Sequence, residues 1–402
     1  MKNPDLHQIN LLGKDEQNRR LSALRAAMND ASIPCALFHN NANIYYITGR
    51  VFRGYIFVDL LHEGVLYLLR RPSTLHHSDE GSLKLISRFA DIPAAIAEYH
   101  GEKPGNIALE LDSLSYSDTI KLQKTLETES SSNISPLIRR VRSVKTEREL
   151  EMLRESGEKQ TLVYRHIPEL YKEGMTDIEL QIEIERDSRL HGCLGQFRIA
   201  GDEMELFMGN VLTGDNADTP SPYDFAMGGQ GMDPSLPVGA NGTLIRPGIP
   251  VMVDVNGNYT GYMTDMTRCY YTGELPERVE ELNKLSADIC AELATMMIPG
   301  TPASSLYERA AQMAAEAGMS DYFMGHRSHA GFVGHGVGIE INELPVIAPR
   351  SKDILAENNV IALEPKFVIP GIGAVGIENT YIVRKNGGEQ ITNAETQPVQ
   401  LS

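Results

Sequence analysis

Thiols are scarce and scattered in this 402-residue chain: Cys35, Cys193, Cys269 and Cys290 are its four cysteines, and no two form a CxxC pair. That spacing argues against a disulfide framework and a thiolate zinc knuckle, and a reducing cytoplasm becomes the expected setting. No apolar run approaches the ~18 residues that a membrane span needs, and the opening MKNPDLHQINLLGKDEQNRR lacks the apolar core expected of a secretory signal. Basic charge is also short. With 37 Lys and Arg against 54 Asp and Glu, the formal net charge is -17, so neither nucleic acid nor an anionic membrane is an expected partner. What remains is ordinary globular composition, 42% hydrophobic and 23% charged, over a length that supports two domains with sizeable cores.

The stretch around which the rest is organised is VMVDVNGNYTGYMTDMT, residues 251–267. Asp254 is flanked by apolar residues, a Gly/Asn turn follows at Asn256, Gly257 and Asn258, and Asp265 enters a second β-prone run ending at Tyr270 and Tyr271. This reads as a hairpin. A carboxylate in an apolar strand costs several kcal/mol, roughly, unless a cation or a set of hydrogen bonds compensates it. On this stretch alone, ordinary strand-end acids remain an equal alternative. Downstream the pattern repeats: His335 sits in GHGVG, Glu364 in IALEP and Glu378 in GIENTYIV. Glycines on either side of His335 leave room for an ion and for close backbone approach. Asp, Asp, His, Glu and Glu form a hard, oxygen-rich set with one imidazole, suited to Mn²⁺, Fe²⁺, Co²⁺ or Zn²⁺. Four negative charges exceed what one divalent ion needs, so two carboxylate-bridged ions are expected.

Asp254, Asp265, His335, Glu364 and Glu378, in the contexts VDVNG, GYMTDMTR, GHGVG, ALEP and GIENT, resemble in order and setting the dinuclear "pita-bread" metallopeptidases of family M24, which include prolidase, aminopeptidase P and methionine aminopeptidase. The resemblance implies an α+β pita-bread catalytic domain preceded by a smaller α/β domain. It also implies that Asp254 holds one ion, that His335 and Glu364 hold the other, and that Asp265 and Glu378 bridge. Glu364 and His335 would be the catalytic residues, Glu364 taking the proton from the attacking water. A homodimer is implied as well.

The N-terminal domain is expected over 1–142 and the catalytic domain over 143–402. The first opens with a helix from about Lys14 to Asn29 on the spacing of Leu21, Leu24 and Met28. Strands follow at 35–38, 55–60, 64–69 and 106–111, and RLSALRAAM with NIYYITG resembles the creatinase and prolidase N-terminal domain. The adjacent His76 and His77 read as solvated loop residues. Pro136 to Lys145 reads as the junction. Thr146 and Glu149, and again Thr176 and Glu179, form capping-box signatures that open helices. A further helix covers Pro276 to about Met297, and another starts at Thr301-Pro302 and stops at Gly318.

Two departures from the resemblance bear on substrate. Proline-specific members carry a histidine in a Pro-His-Gly stretch where this chain has Pro237-Val238-Gly239, and a second where it has Asn342. Valine cannot move a proton, and asparagine hydrogen-bonds without titrating. His326 and His329 are candidate replacements, and Tyr223, Asp224 and Asp233 sit in a Gly-rich loop expected to line the pocket. Val238, His326, His329, Asn342 and Tyr223 are thus the candidate substrate-binding residues. Three function classes stay open: a peptidase acting near the N-terminus of small peptides, a non-peptide C–N hydrolase of the creatinase or ectoine-hydrolase kind, and a non-catalytic binding relative.

Overall fold

The computed structural model describes residues 12–70, 82–128, 131–201, 208–223 and 227–402; His76, His77 and Asp224 lie outside them. The chain divides into two compact units, Met1–Arg142 and Ser143–Ser402.

The first unit is a five-stranded mixed sheet with helices. Its strands are β1 (Cys35–Phe38), β2 (Gly54–Asp59), β3 (Leu66–Leu69), β4 (Ser82–Leu85) and β5 (Ala108–Leu109), in the order β4-β3-β2-β1-β5. Helix α1 (Lys14–Asp30) buries Leu21, Leu24 and Met28, the residues whose spacing announced it. Asn41–Thr48 is a helix, α2, because Asn40 caps it by accepting from Ala42 N–H at 2.8 Å and Gly49 ends it at φ 70. Helices α3 (Ile92–His100) and α4 (Tyr116–Leu126) complete the unit's cover. The stretch read as a junction contains the boundary between the two units and is helical over most of its length: α5 spans Ser135–Ser143. Its proline falls in the first turn, where the missing N–H costs nothing, and Ile134 and Ile138 are fully buried.

The second unit is built from two sheets, each carrying a helix pair. Helices α6 (Glu147–Leu170) and α7 (Asp177–Leu190) both open with complete capping boxes, Thr146 with Glu149 and Thr176 with Glu179. They share an apolar core with β6 (Gly209–Thr213) and β7 (Val251–Val255) through Val163, Ile167, Leu180, Val211 and Val253. Between β7 and β10 (Thr267–Tyr271) lies a small ladder of β8 (Gly257–Asn258) and β9 (Met263–Thr264). Of the residues read as a turn, Gly257 and Asn258 are therefore strand, and the chain reverses beyond them, around Tyr259–Tyr262. Helices α8 (Glu277–Met296) and α9 (Ala303–Glu316) cover the second sheet. Val279, Leu282, Ile289 and Leu293 recur along one face of α8 and are all buried, contributing roughly 1.5–3 kcal/mol each.

That second sheet comprises β11 (Gly334–Gly336), β12 (Glu343–Ile347), β13 (Val360–Leu363), β16 (Asn379–Arg384) and β17 (Gly387–Gln390), in the order β12-β11-β13-β16-β17. A separate ribbon pairs β14 (Lys366–Ile369) with β15 (Gly373–Gly376), and β18 (Val399–Gln400) runs parallel to β10. The two sheets meet through a bridge between Thr267 and Glu378. The four cysteines are free and buried. No helix among the described residues is long and apolar enough to cross a membrane.

Candidate metal centre

Asp254 sits on β7 opposite Thr267 of β10, which puts Asp265 just before the paired register. The Asp265 backbone is held by the other sheet: its N–H donates to Thr380 Oγ1 at 2.9 Å, and that hydroxyl donates to the Asp265 carbonyl at 2.8 Å. From behind, α6 sets the width of the hairpin with Ser156, Gln160 and Tyr164, spaced by four and so on one face. Ser156 Oγ donates to the Tyr262 carbonyl at 2.8 Å. Gln160 donates to the Val255 carbonyl at 2.6 Å and accepts from Thr264 Oγ1 at 2.7 Å. The Tyr164 hydroxyl accepts from Val255 N–H at 2.9 Å and donates to the Met266 carbonyl. Nothing in the local sequence of 251–267 announces this clamp.

The second sheet brings the other three. His335 is the middle residue of β11, paired with Ala362 of β13, and Glu364 follows that strand directly. The glycines around His335 serve strand approach rather than an ion: a Cβ on Gly334 would strike the Ala362 carbonyl, and one on Gly336 the Leu344 carbonyl. The His335 Nδ1 lies 3.2 Å from the Gly336 carbonyl, so Nδ1–H donates there and Nε2 keeps its lone pair for the site. Nε2 is 3.5 Å from Glu364 Oε1 and 4.0 Å from Asp265 Oδ2. Glu378 accepts from Thr267 Oγ1 at 2.7 Å through Oε2, while its buried Oε1 has no hydrogen-bond partner among the described residues. Behind it the buried Arg268 donates at 2.7 Å to the carbonyls of Thr267 and Glu378.

The carboxylates are crowded and short of counter-charge. Burial, then the charges of Asp254 and Glu364, pushes Asp265 well above the ordinary carboxylate range; burial and Asp265 do the same to Glu378. Asp265, His335 and Glu378 each offer one ligand atom within 4.8 Å of the others, and so do Asp254, Glu364 and Glu378. With its oxygen donors, one imidazole and the orphaned Oε1, the first group fits a divalent cation. The second group already holds a cation from the protein itself. Lys366, the first residue of β14, is fully buried, and its Nζ lies 2.8 Å from Asp254 Oδ2, 2.7 Å from Glu364 Oε2 and 3.5 Å from Glu378 Oε2. Burial opposes its charge, but Asp254, Glu364 and Glu378 together hold it well above the ordinary lysine value. Reading the sequence missed Lys366; its signal was a lone basic residue two positions after a ligand-type glutamate, at the head of the apolar run FVI.

The candidate substrate residues separate. Tyr223, His326 and His329 line one small cavity together with Asp218 and Val368, and Val368 lies two residues along β14 from Lys366. His326 Nδ1 is 2.9 Å from the buried Asp218 carboxylate, and His329 Nδ1 is 2.9 Å from the Phe323 carbonyl. Each ring thus donates through Nδ1. Val238 is buried at 1% exposure. Asn342 is committed to backbone, accepting from Ala200 N–H at 2.7 Å and donating to its carbonyl at 2.8 Å. Asp233 is exposed and accepts from Ser235 N–H at 2.9 Å in a local turn; it is not among the residues lining that cavity.

Residues 151–385 match the model of metallopeptidase family M24, and residues 20–144 match that of the creatinase/prolidase N-terminal domain. The chain belongs to metallopeptidase family M24. It is 25% identical to an Xaa-Pro dipeptidase of Pyrococcus horikoshii over 389 residues, 95% of this chain and 99% of the relative. A Pyrococcus furiosus Xaa-Pro dipeptidase is 26% identical over 382 residues, 94% of this chain and 99% of that one. Among solved structures, the Xaa-Pro dipeptidase of Bacillus anthracis superposes with a TM-score of 0.80 at 23% identity, covering 96% of this chain and 100% of the other. The P. horikoshii prolidase gives 0.76 at 24% identity, covering 94% and 99%. The fold is accordingly the α+β pita-bread of M24, and the chain is a metallopeptidase of a family that depends on divalent metal.

Proposed function

We propose that this M24 chain is a cytoplasmic, homodimeric peptidase that hydrolyses an amide bond near the N-terminus of small peptides. The observation that carries the reading is the convergence of Asp254, Asp265, His335, Glu364 and Glu378 from two sheets into two adjoining groups that share Glu378, with an unsatisfied oxygen at Glu378. Such a set suits Mn²⁺, Co²⁺, Zn²⁺ or Fe²⁺. A divalent ion held there would polarise the scissile carbonyl and lower the pKa of bound water. Asp265, His335, Glu364 and Glu378 would hold and orient the cation. Glu364, buried and next to the His335 imidazole, takes the proton from the attacking water.

The relatives named Xaa-Pro dipeptidase make Xaa-Pro dipeptides the first substrates to try. Cleavage of them should be slow here, because general-acid help is worth about 10²- to 10⁴-fold and neither Val238 nor Asn342 supplies a titrating proton. The test is a panel of dipeptides, Xaa-Pro peptides and small non-peptide amides, each assayed with added Mn²⁺, Co²⁺ or Zn²⁺. Turnover of peptides is expected; turnover confined to non-peptide amides under every metal would reject the peptidase reading.

A further inference from the structure

The three carboxylates that ring Lys366 are the same three that make up the second candidate ligand group. Asp254, Glu364 and Glu378 lie with their oxygens within 4.8 Å of one another, and the Lys366 ammonium stands 2.8, 2.7 and 3.5 Å from those same three side chains. We propose that Lys366 is a built-in cation that takes the place of one metal ion, so that this chain binds a single divalent ion, between Asp265, His335, Glu364 and Glu378. This rests on the metallopeptidase reading above and deepens it.

Four observations support the assignment. First, the ammonium is fully buried, and a buried ammonium needs acceptors for its three protons. Its three acid partners meet that need, and moving it aside to admit a second ion would strand it. Second, Glu364 divides its oxygens between the two positions, Oε2 on Lys366 at 2.7 Å and Oε1 at 3.5 Å from His335 Nε2. A carboxylate bridging two cations has this arrangement, with an ammonium as one of them. Third, the unpartnered Glu378 oxygen is Oε1, while Oε2 already receives Thr267 and faces Lys366. The remaining demand for a cation is therefore on the His335 side. Fourth, the charge count favours one ion: four carboxylates carry four negative charges, and one ammonium with one divalent ion supplies three positive ones. Two divalent ions plus the ammonium would overfill the cluster.

The position of Lys366 is fixed by backbone as well as by charge. It opens β14, its carbonyl accepts from Met324 N–H at 2.8 Å, and Phe367 beside it is buried in the core. Its side chain starts from a rigid ribbon and ends between acids that belong to both sheets.

The test is stoichiometry. Full-length protein is stripped with chelator, loaded with excess Mn²⁺, desalted, and its manganese counted per chain by plasma mass spectrometry. Electron paramagnetic resonance on the same sample reports whether the manganese is isolated or exchange-coupled. The natural protein should hold one Mn²⁺ per chain with the six-line signal of an isolated ion, and Lys366→Ala, which empties the second position, should hold two with a coupled multiline signal. Two coupled ions in the natural protein would overturn the proposal while leaving the metallopeptidase reading intact. One ion in both proteins would show that the lysine is not what excludes the second. No retained manganese in either would bring down the metal reading itself. Should Lys366→Ala fail to fold, the count and signal of the natural protein still decide between one ion and two.

Discussion

Removing one hydroxyl tests how the site is held open. In Tyr164→Phe the ring stays in the core, where Tyr164 is 2% exposed, but Val255 N–H loses the acceptor at 2.9 Å and the Met266 carbonyl loses its donor. Both groups are sealed from water behind α6, and each buried group left unpaired costs about 1–3 kcal/mol. The expected loss is therefore roughly 2–6 kcal/mol. Since Val255 follows Asp254 and Met266 follows Asp265, the loss falls on the hairpin that spaces the two aspartates. Two measurements read it. Denaturant unfolding followed by circular dichroism should show a lower midpoint, and hydrogen-exchange mass spectrometry should show faster exchange in peptides covering 251–258 and 263–268. Metal affinity should fall with it, because groups that orient ligands are worth about 10–100-fold. A variant with natural stability, unchanged exchange in both peptides and unchanged metal affinity would refute the clamp.

Other outcomes follow from the same geometry. Asp265→Ala should abolish turnover and weaken Mn²⁺ binding measured by calorimetry, and full turnover in that variant would place the chemistry elsewhere. The Val238→His, Asn342→His double variant should gain at least about tenfold in Xaa-Pro cleavage if the missing general acid is what limits it; because Val238 is buried and Asn342 clamps Ala200, stability must be measured alongside, and a well-folded variant with no gain would refute the explanation. Hydrogen bonding from Arg154, against partial burial and with help from Arg384, holds Glu389 below its ordinary 4.5. Its folded pKa is depressed, so its contribution is complete above about 4.5 and is lost as pH falls through the folded value. Both partners are about a third exposed, so solvent screening limits the effect to about 1 kcal/mol or less, and Glu389→Gln should flatten the pH dependence of stability only in that acid window. Light scattering should report a dimer; a mass near 44.4 kDa across a wide concentration range would rule it out.

What the sequence by itself determined is what short-range physics controls. The capping boxes at Thr146 and Thr176 were readable because the cap and its partner lie three residues apart. Helix α8 was readable because its buried face repeats at helical spacing, and the five ligand-type residues could be named because each acid or imidazole sits in its own local motif. The pita-bread fold was legible through those motifs. Tertiary structure decided the rest. Gly257 and Asn258 are turn-forming residues yet pair as strand with Thr264 and Met263, since the α6 side chains behind them fix where the chain reverses. Pro136 to Lys145 reads only as a junction, and most of it is helix, with Ile138 buried in a core. Asn342 reads as a pocket residue, and only the fold brings it to Ala200, whose N–H and carbonyl it binds. Lys366 shows the limit most clearly: its sequence neighbours say only that a lysine begins an apolar strand. That its ammonium ends among Asp254, Glu364 and Glu378 depends on acids drawn from two sheets. A buried charge takes its role from the partners that folding brings to it, and those partners are distant in the chain.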